Sequence, residues 1–103
     1  MVTSLDLKLK IGEIKGELRR IDVEGDIIEK GDVRTVNLRA GGTSTVADCV
    51  IRDETGTIKL SLWGEQINAF DVGDRVKIEN GYTSVFRGET QLSIGRYGKI
   101  QKV

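Results

Sequence analysis

The chain has 103 residues, enough for one hydrophobic core but not two. Its 16 basic and 16 acidic residues cancel, so bulk charge announces no polyanionic partner and any basic surface has to be local. The lack of histidine and the single cysteine exclude zinc ribbons, disulfide frameworks, Cys-His nucleophiles and histidine acid–base chemistry, so no metal and no cofactor is expected. No apolar run reaches the roughly 20 residues that span a bilayer, and the N-terminus lacks the apolar segment of a signal peptide. A soluble, reducing, cytoplasmic setting without membrane contact is therefore expected.

Thirteen glycines and no proline stand between short alternating segments, as in a small twisted β domain. Residues 1–17 carry Leu5, Leu7, Leu9, Ile11 and Ile14 among charges, a pattern that fits either a short helix or an extended arm. From Leu18 the pattern firms: Ile21, Val23, Gly25 and Ile27 alternate with Arg20, Asp22, Glu24 and Asp26. This predicts a long first strand with a glycine where it bends. Glu29 to Thr43 reads as a loop around a short Val33 to Leu38 stretch, because Lys30-Gly31-Asp32 and Ala40-Gly41-Gly42 are turn clusters. It carries Lys30, Arg34 and Arg39, either as a solvated loop or as an arm that closes on phosphates.

A second strand is expected over about Ser44 to Arg52, with Ala47, Cys49 and Ile51 in one phase and Val46, Asp48 and Val50 in the other. Cys49 reads as a small buried hydrophobe without a base to activate it. Asp53-Glu54-Thr55-Gly56 is a hairpin turn, and turn chemistry accounts for its carboxylates without a metal or an acid–base role.

Thr57 to Trp63 alternates strictly. Ile58, Leu60 and Leu62 share one face, and Thr57, Lys59, Ser61 and Trp63 share the other. The only tryptophan thus points away from the core, where a large aromatic is costly unless something flat covers it. Ile67 and Phe70 sit one helical turn apart, predicting a short helix that caps a barrel, with Glu65 in its first turn. Arg75 to Glu79 alternates with Val76 and Ile78 inward, and Gly81 then resets the phase. Tyr82, Ser84 and Phe86 fall on one face of the continuation and Thr83 and Val85 on the other. Arg87-Gly88 makes a tight turn into Glu89 to Ile94, and Ile100 to Val103 forms a short last strand.

A long bent strand, a loop, a hairpin, a short helix and another hairpin make an all-β, five-stranded Greek-key barrel, the OB-fold, with its one short helix between the third and fourth strands. The chain reads as a single domain, residues 1–17 an arm or short helix and residues 18–103 the barrel, cut close to its borders from a longer protein. The joint spacing of Asp53-Glu54-Thr55-Gly56, Trp63, Gly81-Tyr82 and Phe86-Arg87-Gly88-Glu89, with Gln91-Leu92-Ser93 and Gly95-Arg96-Tyr97-Gly98, resembles the OB-fold domains of archaeal replication protein A. It is also similar to single-stranded DNA-binding proteins of the SOSS-B type. The resemblance implies that Trp63, Tyr82 and Phe86 stack bases and that Arg87 and Arg96 help hold the strand. Some relatives place a further stacking tyrosine where this chain has Ser93.

The chemistry is consistent with that resemblance. Stacking on Trp or Phe is sequence-tolerant because every base has a π-face, and arginine or lysine at a groove edge releases counterions from phosphates. Lys59 is either such a contact or a solvated face residue. Tyr82 and Phe86 have barrel core as their competing reading. The expected function is a sequence-tolerant, non-enzymatic single-stranded DNA-binding module of replication, repair and recombination. Its partners would be single-stranded DNA and other replication or repair proteins. An RNA-binding OB domain and a protein-interaction OB domain are the alternatives.

Overall fold

In the computed structural model, which describes residues 7–95 and 97–103, alternation translates directly into strands. The chain runs through β1 (Leu7–Lys8), a 3₁₀ turn (Ile11–Glu13), β2 (Arg19–Lys30), β3 (Arg34–Asn37) and β4 (Thr43–Asp53). It continues through β5 (Gly56–Trp63), α1 (Gln66–Ala69), β6 (Arg75–Phe86), β7 (Glu89–Ser93) and β8 (Lys99–Lys102). Five strands close on themselves. β2 pairs antiparallel with β4 and with β6, β4 pairs antiparallel with β5, β5 runs parallel to β7, and β7 returns antiparallel to β6. This is the OB barrel expected from the strand order, with the short helix between its third and fourth strands.

The inward phase of each strand fills the barrel. Ile21, Ile51, Leu60, Leu62, Ile78 and Leu92 are fully buried, each contributing about 1.5–3 kcal/mol of hydrophobic burial. Cys49 lies among them, and burial, the largest influence on it, raises its thiol pKa. Ile67 and Phe70 bring α1 onto the core at the end of β5 that Trp63 marks, as their one-turn spacing requires.

The opposite end is closed by the N-terminal segment. Within its described part, from Leu7, the segment takes the extended form and adds one 3₁₀ turn, whose Ile11 and the following Ile14 join the core. Asp53 fixes this plug. Its Oδ2 accepts from the Ile11 N–H at 2.8 Å, while Oδ1 accepts from the Thr55 N–H at 2.7 Å and the Gly56 N–H at 3.2 Å. Glu54 in the same turn pairs with Lys10.

One stretch departs from expectation. The stretch read as a loop between the first two strands contains β3, which pairs with β4 from Arg34↔Val46 to Asn37↔Thr43. The reason is that the start of β4 projects beyond the barrel wall and has a free edge there for β3 to take up. The phase reset in β6 is a bulge. Between Ile21 and Val23 of β2, the β6 partner moves from Gly81 to Ile78, leaving one extra residue on β6, and Asn80 adopts φ +58°. A second bulge answers it on β2, where Arg20 adopts φ +56° between Arg19↔Tyr82 and Ile21↔Gly81. Left-handed backbone at a residue with a side chain costs about 1–2 kcal/mol.

Thr83 is buried although it is polar. Its hydroxyl donates to the Gly16 carbonyl at 2.7 Å and accepts from the Leu18 N–H at 2.8 Å, tying the entry of β2 to β6. Among the described residues, no helix is long and apolar enough to cross a membrane.

Candidate nucleic-acid interface

The outer faces of β4, β5, β6 and β7 form the floor of an open groove of about 1090 Å³, walled by the β3–β4 ribbon on one side and the β6–β7 hairpin on the other. Trp63, the last residue of β5, is 42% exposed in it, and its backbone N–H donates to Gln66 Oε1 at 3.2 Å. Tyr82 is 42% exposed and Phe86 60% exposed on the outer face of β6. The competing reading of both as barrel core is therefore set aside, because the bulge at Asn80 turns even-numbered residues outward beyond it.

Local geometry holds these rings in place. Tyr82 lies against Gly95, where an added methyl would stand 2.9 Å from its Cε1 and where the backbone φ is +77°. Arg87 and Gly88 both have positive φ, +54° and +80°, the signature of a two-residue hairpin turn whose twist matches its strands. That turn sets the Arg87 guanidinium 5.2 Å from the centroid of the Phe86 ring, a cation–π contact worth about 0.5–1 kcal/mol at an exposed site.

Of the cations expected at the site, Arg34, Lys59 and Arg87 line the groove. Arg39 does not. It sits exposed in the turn at the tip of the β3–β4 ribbon, which is closed by Leu38 and Gly42 and lies off the groove wall. Arg96 lies outside the described residues.

The electrostatics of the groove were not visible in the strand pattern. Arg34 pairs with Asp48 at 3.0 Å and Lys59 with Glu89 at 3.1 Å, and Glu65 also lines the groove, so among the described residues three cations face three carboxylates. The pairs are half-exposed and worth at most about 1 kcal/mol each, so an incoming phosphate displaces them at small cost. Val46 is 2% exposed although it occupies the outward phase, because it is flanked by Arg34 on β3 and Trp63 on β5. It forms an apolar floor beside the tryptophan. Ser61, Gln91 and Ser93 supply neutral hydrogen-bonding groups along the same floor. Outward phase alone does not tell a ligand face from solvent, and beyond it only Gln91 and Ser93 carried a signal, through the Gln91-Leu92-Ser93 motif of the resemblance.

An open groove with exposed rings, polar floor groups and weakly paired cations is suited to holding a flexible polyanion with flat bases. Residues 17–102 match the family model described as single-stranded DNA binding protein Ssb-like, OB fold. The chain is 34% identical over 91 residues to the single-stranded DNA binding protein Ssb of Saccharolobus solfataricus, covering 88% of this chain and 61% of that protein. It is 36% identical over 92 residues to replication factor A of Methanothermobacter thermautotrophicus, covering 88% of this chain but 12% of that one. In structure it is similar to an OB domain from Thermoplasma acidophilum, with a TM-score of 0.80, 26% identity, and coverage of 95% of this chain and 87% of the other. The chain thus spans less than two thirds of either sequence relative, and the part it spans is the barrel that carries the groove. It belongs to the Ssb-like family of OB-fold single-stranded DNA-binding domains.

Proposed function

We propose that this domain binds single-stranded DNA without sequence preference and without catalysis, as a module of DNA replication, repair and recombination inside an archaeal-type cell. Bases stack on Trp63, Tyr82 and Phe86, and phosphates run past Arg87, Lys59 and Arg34. Arg96 belongs to the same proposal on the strength of the motif alone. The observation that carries the reading is the convergence of three exposed rings from two non-adjacent strands on one groove. Lone exposed aromatics are ordinary on protein surfaces, whereas three lining a single open groove form a stacking platform. Neutral overall charge and half-paired cations agree with moderate, sequence-tolerant affinity, and other replication or repair proteins are the expected neighbours on the same strand.

The test is a titration of Trp63 fluorescence with oligothymidine at low and high salt, with the matching duplex and an oligouridine as controls. Quenching by the DNA single strand, weakened by salt and largely absent with duplex, is expected. Unchanged fluorescence at low salt overturns the stacking model, and tighter binding of the oligouridine reassigns the groove to RNA.

A further inference from the structure

Beyond Tyr82, on the side away from Trp63, the surface dips into a second concavity of about 420 Å³ that shares Tyr82, Ile94 and Gly95 with the main groove. Its other walls are Arg19, Arg20, Asn80 and Tyr97. The two concavities differ in charge. Among the described residues, the groove balances three cations with three carboxylates, whereas no carboxylate lines the second site, which holds two arginines. Among the described residues, neither Arg19 nor Arg20 is held in an ion pair. The barrel goes out of its way to present them. Inward residues of β2 are odd-numbered from Ile21 onward, so uninterrupted alternation would send Arg19 into the core. The bulge at Arg20, with its left-handed backbone, instead sets Arg19 directly across from Tyr82 on the outer face. Tyr97 is 79% exposed, and its carbonyl accepts from Asn80 Nδ2 at 3.2 Å, which ties the segment that carries it to the β6 bulge.

We infer that this second site is a continuation of the single-strand path: the nucleotide that follows the one stacked on Tyr82 places its phosphate on Arg19 and Arg20 and its base against Tyr97. The inference rests on the single-strand reading above and extends its footprint. It also adds, beside a groove whose described charges balance, a pair of arginines that draws the phosphate backbone in. A strand long enough to reach the site therefore gains both affinity and salt dependence, and a shorter one gains neither.

The experiment compares oligothymidines of about four and about twelve residues, within the range of OB-fold site sizes, on the full chain and on the double variant Arg19→Gln/Arg20→Gln. Trp63 quenching gives the affinity at several salt concentrations. The expected result is unchanged binding of the short oligomer, with an affinity for the long one lowered on the order of tenfold and a salt slope shallower by about 0.7, for the one phosphate released. Tyr97→Ala, which leaves both arginines and the bulge in place, is expected to weaken the long oligomer alone at an unchanged salt slope. Wild-type affinity and slope of the double variant for the long oligomer overturn the inference while leaving the groove reading intact. Equal loss on both oligomers overturns it too, since the arginines would then act on the groove itself. If the unsubstituted protein binds neither oligomer, both readings fall.

Discussion

Lys59 Nζ stands 3.1 Å from a Glu89 carboxylate oxygen, so a side chain on β5 and one at the start of β7 neutralise each other inside the groove. A phosphate approaching that exposed ammonium competes with the carboxylate for its charge. Glu89→Gln removes the competitor while keeping the size of the side chain. It is expected to raise single-strand affinity up to about fivefold, the measured range of such pairs, and to steepen the salt slope by about 0.7. Binding isotherms at four or five salt concentrations measure both; a parallel, unshifted salt plot would show that Lys59 is a bystander.

Removing a stacking ring is expected to weaken binding and spare the fold. Trp63→Ala and Phe86→Ala should each lower affinity by about 5- to 150-fold, the equivalent of 1–3 kcal/mol per stacked base. Their melting temperatures should move little, since surface substitutions usually stay within about 0.5 kcal/mol. Anisotropy of a labelled oligothymidine follows binding where the tryptophan signal is gone. Equal affinities of both variants and the wild type would remove these rings from the binding face.

Asp53 gives the barrel an acid-sensitive plug. Its partial burial works to raise its pKa, but the hydrogen bonds from Thr55, Ile11 and Gly56 outweigh that and hold it below the ordinary carboxylate range. A depressed folded-state pKa contributes stability above the unfolded value, about 3.9, that is lost as pH falls through the folded one. Asp53→Asn is therefore expected to be less stable by about 1–2 kcal/mol at neutral pH, the low end for charge-assisted bonds because the group is part-exposed. The gap to wild type should close as pH drops below about 4. Denaturant melts at pH 7, 5 and 3 measure this, and a gap constant across that range would refute it.

Thr83→Val isolates a buried polar contact. The substitution is nearly isosteric but strips the Gly16 carbonyl and the Leu18 N–H of their partner. Leaving such groups unsatisfied costs about 1–3 kcal/mol each, so a loss of about 2–4 kcal/mol in urea unfolding is expected. A value below about 0.5 kcal/mol would mean that water replaces the hydroxyl.

Much of the barrel was legible because its signal is local. Strict alternation assigned Ile58, Leu60 and Leu62 inward and Trp63 outward, and the turn residues of Asp53 to Gly56 and of Arg87-Gly88 marked both hairpins. Gly81 gave away the phase change that exposes Tyr82 and Phe86. What stayed hidden depends on partners distant in sequence. β3 is short and mostly exposed on both faces, so no periodicity marks it, and only the free edge of β4 explains it. Glu89 and Asp48 look like ordinary surface acids until the parallel pairing of β5 with β7 and the fold-back of β3 bring Lys59 and Arg34 to them. Arg39 and Arg34 are five positions apart and look equivalent, yet the ribbon puts one on the wall and the other at its tip.

The extra residue at Asn80 works as a parity bit for β6. Before it, odd-numbered side chains such as Lys77 and Glu79 face outward; after it, even-numbered Tyr82, Ser84 and Phe86 do. Deleting that single residue would keep every amino acid of the platform and invert its meaning, turning Tyr82 toward the barrel and the buried Thr83 toward the solvent. In this strand, counting carries the function as much as composition does.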